Sequence, residues 1–139
     1  MEQLSPITIK TEVKASPERV WEVWNNPKHI IKWNSASPDW HTTKAESDLR
    51  AGGSFKSRME AKDGSMGFDF SGIYSEVKAP ERLKYKLDDG RKVSVNFEAT
   101  KAGVRITETF DPETVNPIEL QRDGWQAILD NFKAYIEQN

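Results

Sequence analysis

Residues 117–137 read PIELQRDGWQAILDNFKAYIE. Trp125, Ile128, Leu129, Phe132 and Ile136 recur at helical spacing on one stripe, with Arg122, Asp123, Asp130, Lys133 and Glu137 outside it. The spacing predicts a long helix with one apolar face, and that face must be covered. The cover lies upstream. Ser54–Ala61 alternates Phe55, Ser57 and Met59 with Lys56, Arg58 and Glu60, and a Lys62-Asp63-Gly64-Ser65 turn leads into a second strand over 68–77. Leu83, Tyr85 and Leu87, then Val93, Val95 and Phe97, then Val104, Ile106, Glu108 and Phe110 continue the period of two, separated by Asp88-Asp89-Gly90 and Lys101-Ala102-Gly103. Such a series is an antiparallel meander with one apolar face. Only the C-terminal helix carries a stripe long enough to lie across about six strands, so the sheet is expected to grip it.

The N-terminal third adds a strand and two short helices. In Ile7–Val13, Ile7, Ile9, Thr11 and Val13 share one face, the pattern of a half-buried strand. Ser16-Pro17-Glu18 follows as cap, first-turn proline and acid at the positive helix end, which predicts a helix over 17–24. Asn26-Pro27 breaks it before a second helical turn over 29–33. A further strand is expected over 39–44, then a glycine-rich turn over 48–53. The order is therefore β, two short α, about six β and a long α, in a single domain spanning residues 1–139 with no repeat or linker.

Composition narrows the functional classes. Charged residues make up 30% and hydrophobic ones 36%, with 5 Trp, 3 Tyr and 6 Phe, enough aromatic content for a packed core. The balance of 20 basic and 22 acidic residues gives a net charge of −2, which supplies no field for nucleic acid. With no cysteine and two histidines, His29 and His41, there is neither a thiolate site nor a three-histidine zinc site. Phosphate-binding glycine loops, a Walker motif and a Gly-x-Ser-x-Gly elbow are all missing. No cofactor or metal is expected. Without a signal peptide or a long apolar run, the chain is expected to be cytoplasmic and not membrane-inserted.

A few residues stand out within this frame. Glu108 interrupts the apolar face of Val104, Ile106 and Phe110. If inward, its carboxyl must find a donor or shift upward in pKa, and it could hold a ligand or act as acid or base; a bulge turning it to solvent is the alternative. Tyr74 and Tyr85 sit on apolar faces, either orienting a ligand or reaching water from the core. Trp33 and Trp40 either face a cavity or pack in the core, whereas Trp21 reads as core or surface. Gly124 in mid-helix costs about 1 kcal/mol against alanine, so it is either tolerated or marks a place where a small residue is needed, against the sheet or a ligand. His29 and His41 read as exposed polar residues outside any site.

Several segments resemble one superfamily in order and spacing. Ile7–Val13, Ser16-Pro17-Glu18-Arg19-Val20-Trp21, Asn26-Pro27-Lys28 and Ile31-Lys32-Trp33 are similar to the opening of the SRPBCC (START, Bet v 1-like) superfamily. Asp48-Leu49-Arg50-Ala51-Gly52-Gly53-Ser54-Phe55, Gly72-Ile73-Tyr74-Ser75-Glu76-Val77, Pro80-Glu81-Arg82-Leu83 and Gly124-Trp125 resemble its subgroup named for the activator of the 90-kDa heat-shock protein ATPase. The resemblance implies an α+β helix-grip fold: a curved antiparallel sheet around a long C-terminal helix, with two short N-terminal helices closing one end over a cavity. Relatives use that cavity for lipids, hormones, polyketides and other hydrophobic molecules, and some branches are cyclases or aromatases.

Binding of a small hydrophobic or aromatic molecule, lipid or polyketide-like and stress-related, is therefore the first expectation. The cavity wall implied by this fold and by strand parity is Trp33, Trp40, Phe55, Met59, Phe70, Tyr74, Tyr85, Ile106, Glu108, Trp125 and Leu129. Glu108 stands where the subgroup is usually apolar. A co-chaperone acting on a heat-shock ATPase through its surface is the second expectation, although the chain starts one strand before Ser16, without room for the further N-terminal domain of the eukaryotic activator. A cyclase or aromatase using Glu108 is the third, and ranks below binding because no pair of groups with separated pKa values is evident.

Overall fold

Turn chemistry places the elements. The computed structural model describes residues 5–138. Strand β1 (Ile7–Val13) leads into α1 (Pro17–Asn25), whose first turn is capped by the Ser16 hydroxyl accepting from the Arg19 N–H at 3.2 Å. Asn26 then serves two helices. Its backbone N–H closes α1 on the Glu22 carbonyl, and its side chain accepts from the Lys28 N–H at 3.0 Å to open α2 (Pro27–Trp33). The break expected at Asn26-Pro27 is present, but α2 begins at Pro27 rather than His29, because proline suits a first helical turn behind an asparagine cap.

Six strands follow: β2 (Trp40–Ser47), β3 (Ser54–Ala61), β4 (Gly67–Lys78), β5 (Arg82–Leu87), β6 (Lys92–Ala99) and β7 (Val104–Phe110). Helix α3 (Ile118–Gln138) follows β7. All strands join one antiparallel sheet in the order β1-β7-β6-β5-β4-β3-β2, with β1 paired along its length to β7, from Ile7 opposite Phe110 to Val13 opposite Val104. Helices α1 and α2 carry the chain from one edge of the sheet to the other, and α3 packs along β1 while α2 packs on β2. This is the expected helix-grip architecture.

Two irregularities aim side chains. In β2 the pairing with β3 slips between Thr42 and Lys44, so Trp40 and Thr42 share the inner face with Ala45 and Ser47 farther on. The strand runs on to Ser47, beyond the 39–44 read from sequence, because the slip shifts the inner face from Trp40 and Thr42 to Ala45 and Ser47 and so breaks the period of two. In β4 the slip falls between Tyr74 and Glu76, and Tyr74 and Val77 both face inward, opposite Tyr85 and Leu83. Gly72 permits a close approach between β4 and β5: a Cβ there would collide with the Lys86 carbonyl.

The core lies between α3 and the β1, β5, β6 and β7 strands. Val13, Val95, Val104, Ile106, Leu129 and Phe132 are fully buried there, with Val20 and Val23 from α1. Phe132 holds the short helices down, its ring centroid 4.9 Å from Trp24 and 5.0 Å from Trp33, and the Trp33 indole N–H donates to the Val23 carbonyl at 3.0 Å. His29 differs from expectation. It is half-buried, with its Nδ1 2.8 Å from the Tyr135 hydroxyl, and so links α2 to α3.

Candidate ligand cavity

The same inward faces that make the core leave a void beside it. A cavity of about 520 Å³ opens between the sheet, the underside of α1 and α2, and the N-terminal half of α3, within the roughly 300–1,000 Å³ range of small-molecule pockets. Of the expected wall, Trp33, Trp40, Phe55, Met59, Phe70, Tyr74, Tyr85, Glu108 and Trp125 face it. Ile106 and Leu129 do not: they are 0% exposed and packed in the adjoining core. Strand parity and helical stripe identify the inner face but not the depth along it, and these two lie where α3 sits against the sheet.

Aromatic rings shape the wall. Phe55 lies 5.1 Å from Tyr74 and 4.9 Å from Tyr85, centroid to centroid. Trp125 stacks on Phe110 at 3.9 Å with the planes 7° apart and meets the edge of Phe70 at 6.0 Å. Phe68, 48% exposed and 5.8 Å from Trp40, forms a lip with it. Gly124 faces the cavity from α3, and a Cβ built there meets nothing within 4 Å. Close packing against the sheet therefore does not require its glycine, which leaves space free.

Polar groups fall into two sets. The first is satisfied. The Tyr74 hydroxyl is 2.9 Å from the Ser47 hydroxyl, and burial pushes its pKa up against the opposing pull of that bond. The loop before α3 is held by Gln121, which accepts from the Glu113 N–H at 2.8 Å and donates to the Glu113 and Asn116 carbonyls at 3.0 and 2.8 Å. Arg91, also on the wall, is bound to Asp89 through Nε at 2.7 Å.

The second set is open. Glu108, Tyr85 and Ser57 are 6%, 9% and 7% exposed, face the cavity, and have no hydrogen bond to protein among the described residues. Glu108 sits between Ile9 and Val95 on the neighbouring strands. Burial raises its pKa from the ordinary 4.5 to about 8, so it carries its proton at neutral pH. The Tyr85 hydroxyl is pushed well above its ordinary range by burial first, then by the nearby Glu108 and Tyr74. The arrangement offers hydrogen-bond donors in an apolar chamber.

The wall also includes residues that sequence reasoning missed. Trp24 and Ile30 come from the undersides of the short helices, Leu83 from β5, and Phe68 from the β3–β4 hairpin. Arg91, Glu113 and Asn116 arrive through loops closed in three dimensions, for which a period of two or 3.6 carries no signal, and Gln121 sits one turn before Trp125 on α3 but is polar and so carries no apolar signal. Among the described residues, no group of three His, Cys, Asp or Glu is placed to hold a metal, and no helix is long and apolar enough to cross a membrane.

A seven-stranded sheet gripping a C-terminal helix, with a cavity between them, defines a helix-grip domain of the SRPBCC, Bet v 1-like superfamily. Within it, residues 14–137 match the family described as activator of Hsp90 ATPase homolog 1-like protein, and the chain belongs to that family. Its structure is similar to the solution structure of an AHSA1-like protein from Aeromonas hydrophila, 49% identical, with 96% of this chain and 92% of that one covered and a TM-score of 0.90. A protein from Cytophaga hutchinsonii is 53% identical over 96% of this chain and 92% of its own, with a TM-score of 0.83. At 22% identity, a crystal structure from Nitrosomonas europaea shares the fold, covering 99% and 97% of the two chains with a TM-score of 0.83. No curated protein matches the chain.

Proposed function

We propose that this chain is a binding protein for a small apolar or aromatic molecule held in the cavity. The observation that carries the reading is a void of about 520 Å³ lined by aromatic rings and left open at Gly124. Protein interiors are otherwise close-packed, with few voids larger than a water molecule. A chamber with apolar walls and a few oriented polar groups is what small-molecule sites have in common.

Acid–base catalysis of the cyclase sort is less well supported. Glu108 and Tyr85 are both held in their protonated forms, whereas such catalysis needs an acid and a base with separated pKa values. The co-chaperone reading draws on the family's description, and the cavity adds nothing to it.

An amide correlation spectrum tests the proposal, titrated with fatty acids, flavonoids, polyketide-like aromatics and sterols. Trp24, Trp33, Trp40 and Trp125 report from the wall, and Trp21, packed edge-on to Phe97 at 5.7 Å, serves as the control. Saturable shifts of the wall indoles with Trp21 unmoved are expected. If no compound moves them, the binding reading is lost.

A further inference from the structure

An unpartnered carboxyl is costly inside an apolar chamber, and its surroundings state what it can bind. Glu108 projects from β7 with Ile9 and Val95 on either side and Ile106 and Phe110 two residues away along the strand. It is 6% exposed, opens onto the cavity, and has neither a hydrogen-bond donor nor an ion-pair partner among the described residues. A carboxyl so placed keeps its proton, because ionising it would bury a charge with nothing to balance it. It then has one O–H to donate, and no protein acceptor receives it.

We infer that Glu108 determines the specificity of the cavity by donating its carboxyl O–H to the carbonyl oxygen of an uncharged, largely aromatic ligand. The inference rests on the reading of the cavity as a ligand site. It adds the ligand's charge and the group that anchors it. Tyr85, open to the same cavity and likewise without a protein partner, supplies a second donor. It comes from β5, on the far side of β6, where Val93 lies opposite both Tyr85 and Phe110.

Charge on the ligand is disfavoured in both senses. An anion beside Glu108 would lie in apolar surroundings next to carboxyl lone pairs. Among the described residues the wall's arginine is Arg91, which stands just before β6 and four residues before Val95, roughly 13 Å of extended chain from the level of Glu108, and is already bound to Asp89. A cation could ionise Glu108, but the pair would then require both charges to be desolvated, a cost that the attraction often fails to recover. A neutral acceptor satisfies the O–H without either cost.

The experiment uses a matched biphenyl series: acetylbiphenyl, which only accepts hydrogen bonds, biphenylcarboxylate and biphenylmethylammonium, each titrated calorimetrically into the whole chain at neutral pH. Acetylbiphenyl is expected to bind at least about tenfold more tightly than either ion. Glu108→Leu should weaken the ketone about tenfold, while Glu108→Gln, which keeps a neutral donor, should hold it within about threefold. Amide spectra of both variants establish that the fold is intact, and leucine suits the apolar site. Tighter binding of the carboxylate or the ammonium ion overturns the inference, as does a ketone affinity that Glu108→Leu leaves unchanged. In those cases the cavity still binds, and the parent reading stands. If no member of this series and no compound of the broader panel binds the wild-type protein, both readings are overturned.

Discussion

Replacing Glu108 with glutamine should stabilise the protein increasingly as pH rises. The folded carboxyl is 6% exposed, and burial moves its pKa from 4.5 to about 8. Between those values the folded chain keeps a proton that the unfolded chain releases, so the wild type loses stability as pH climbs through the window. The full displacement corresponds to about 5 kcal/mol above pH 8, at about 1.4 kcal/mol per pH unit, and to about 3 kcal/mol at pH 7. Near pH 4 both states are protonated and the contribution vanishes. Glutamine has the same shape and does not titrate. Its own amide adds a fixed offset, so the change in the gap between variant and wild type isolates the carboxyl. For a domain of this length, about 3 kcal/mol corresponds to roughly 10 °C in Tm. The assay is thermal unfolding of both proteins in steps from about pH 4 to pH 8, with the Tm difference plotted against pH. A flat or narrowing difference would refute the reasoning: Glu108 would not be held neutral, and its role as a donor in the cavity would fall with it.

Three further substitutions test the cavity wall at Gly124 and the sheet at Gly72. Gly124→Ala should raise stability by up to about 1 kcal/mol in urea unfolding, since its Cβ meets nothing within 4 Å, whereas Gly124→Leu should keep the fold and weaken cavity ligands about tenfold; an unchanged affinity would show that ligands do not reach α3. Gly72→Ala should cost about 1–3 kcal/mol, because its Cβ would collide with the Lys86 carbonyl; a neutral result in the same assay would mean that β4 and β5 separate freely.

The elements and their faces were legible because each rests on local chemistry. Ser16-Pro17 starts α1 by the geometry its residues favour, and Asn26 separates two helices by capping one and closing the other. The period of two in β5, β6 and β7 places Leu83, Tyr85, Val93, Val95 and Ile106 inward, where the structure has them, and Glu108, which the pattern leaves open between the inner face and a bulge, is inward as well. Depth was not legible. Ile106 and Glu108 share a face two residues apart, yet one is core and the other cavity wall, a difference set by where α3 lies and not by anything within β7. The bulge at Thr42/Lys44 was equally hidden, since it is defined by the pairing of β2 with β3. Gln121 carries no local signal for a related reason: its three bonds brace a loop folded back in space onto the start of α3.

Glu108 and Gly124 bear on function together. Each breaks a local rule at a measurable cost: a lone carboxyl on an apolar strand face, about 3 kcal/mol at neutral pH, and a glycine in mid-helix, about 1 kcal/mol. Leucine at the first and alanine at the second would each stabilise the fold, and neither position is constrained by a contact the substitution would break. One lies on the sheet and the other on α3, yet both open onto the same void. Local rules fail most often at functional sites, where chemistry outweighs stability. The proposed ligand site would account for both costs by a single requirement, space with a hydrogen-bond donor at its wall. An occupant of that chamber would accept the hydrogen bond of the Glu108 O–H and fill the space beside Gly124, and its binding free energy would offset what the empty fold gives up.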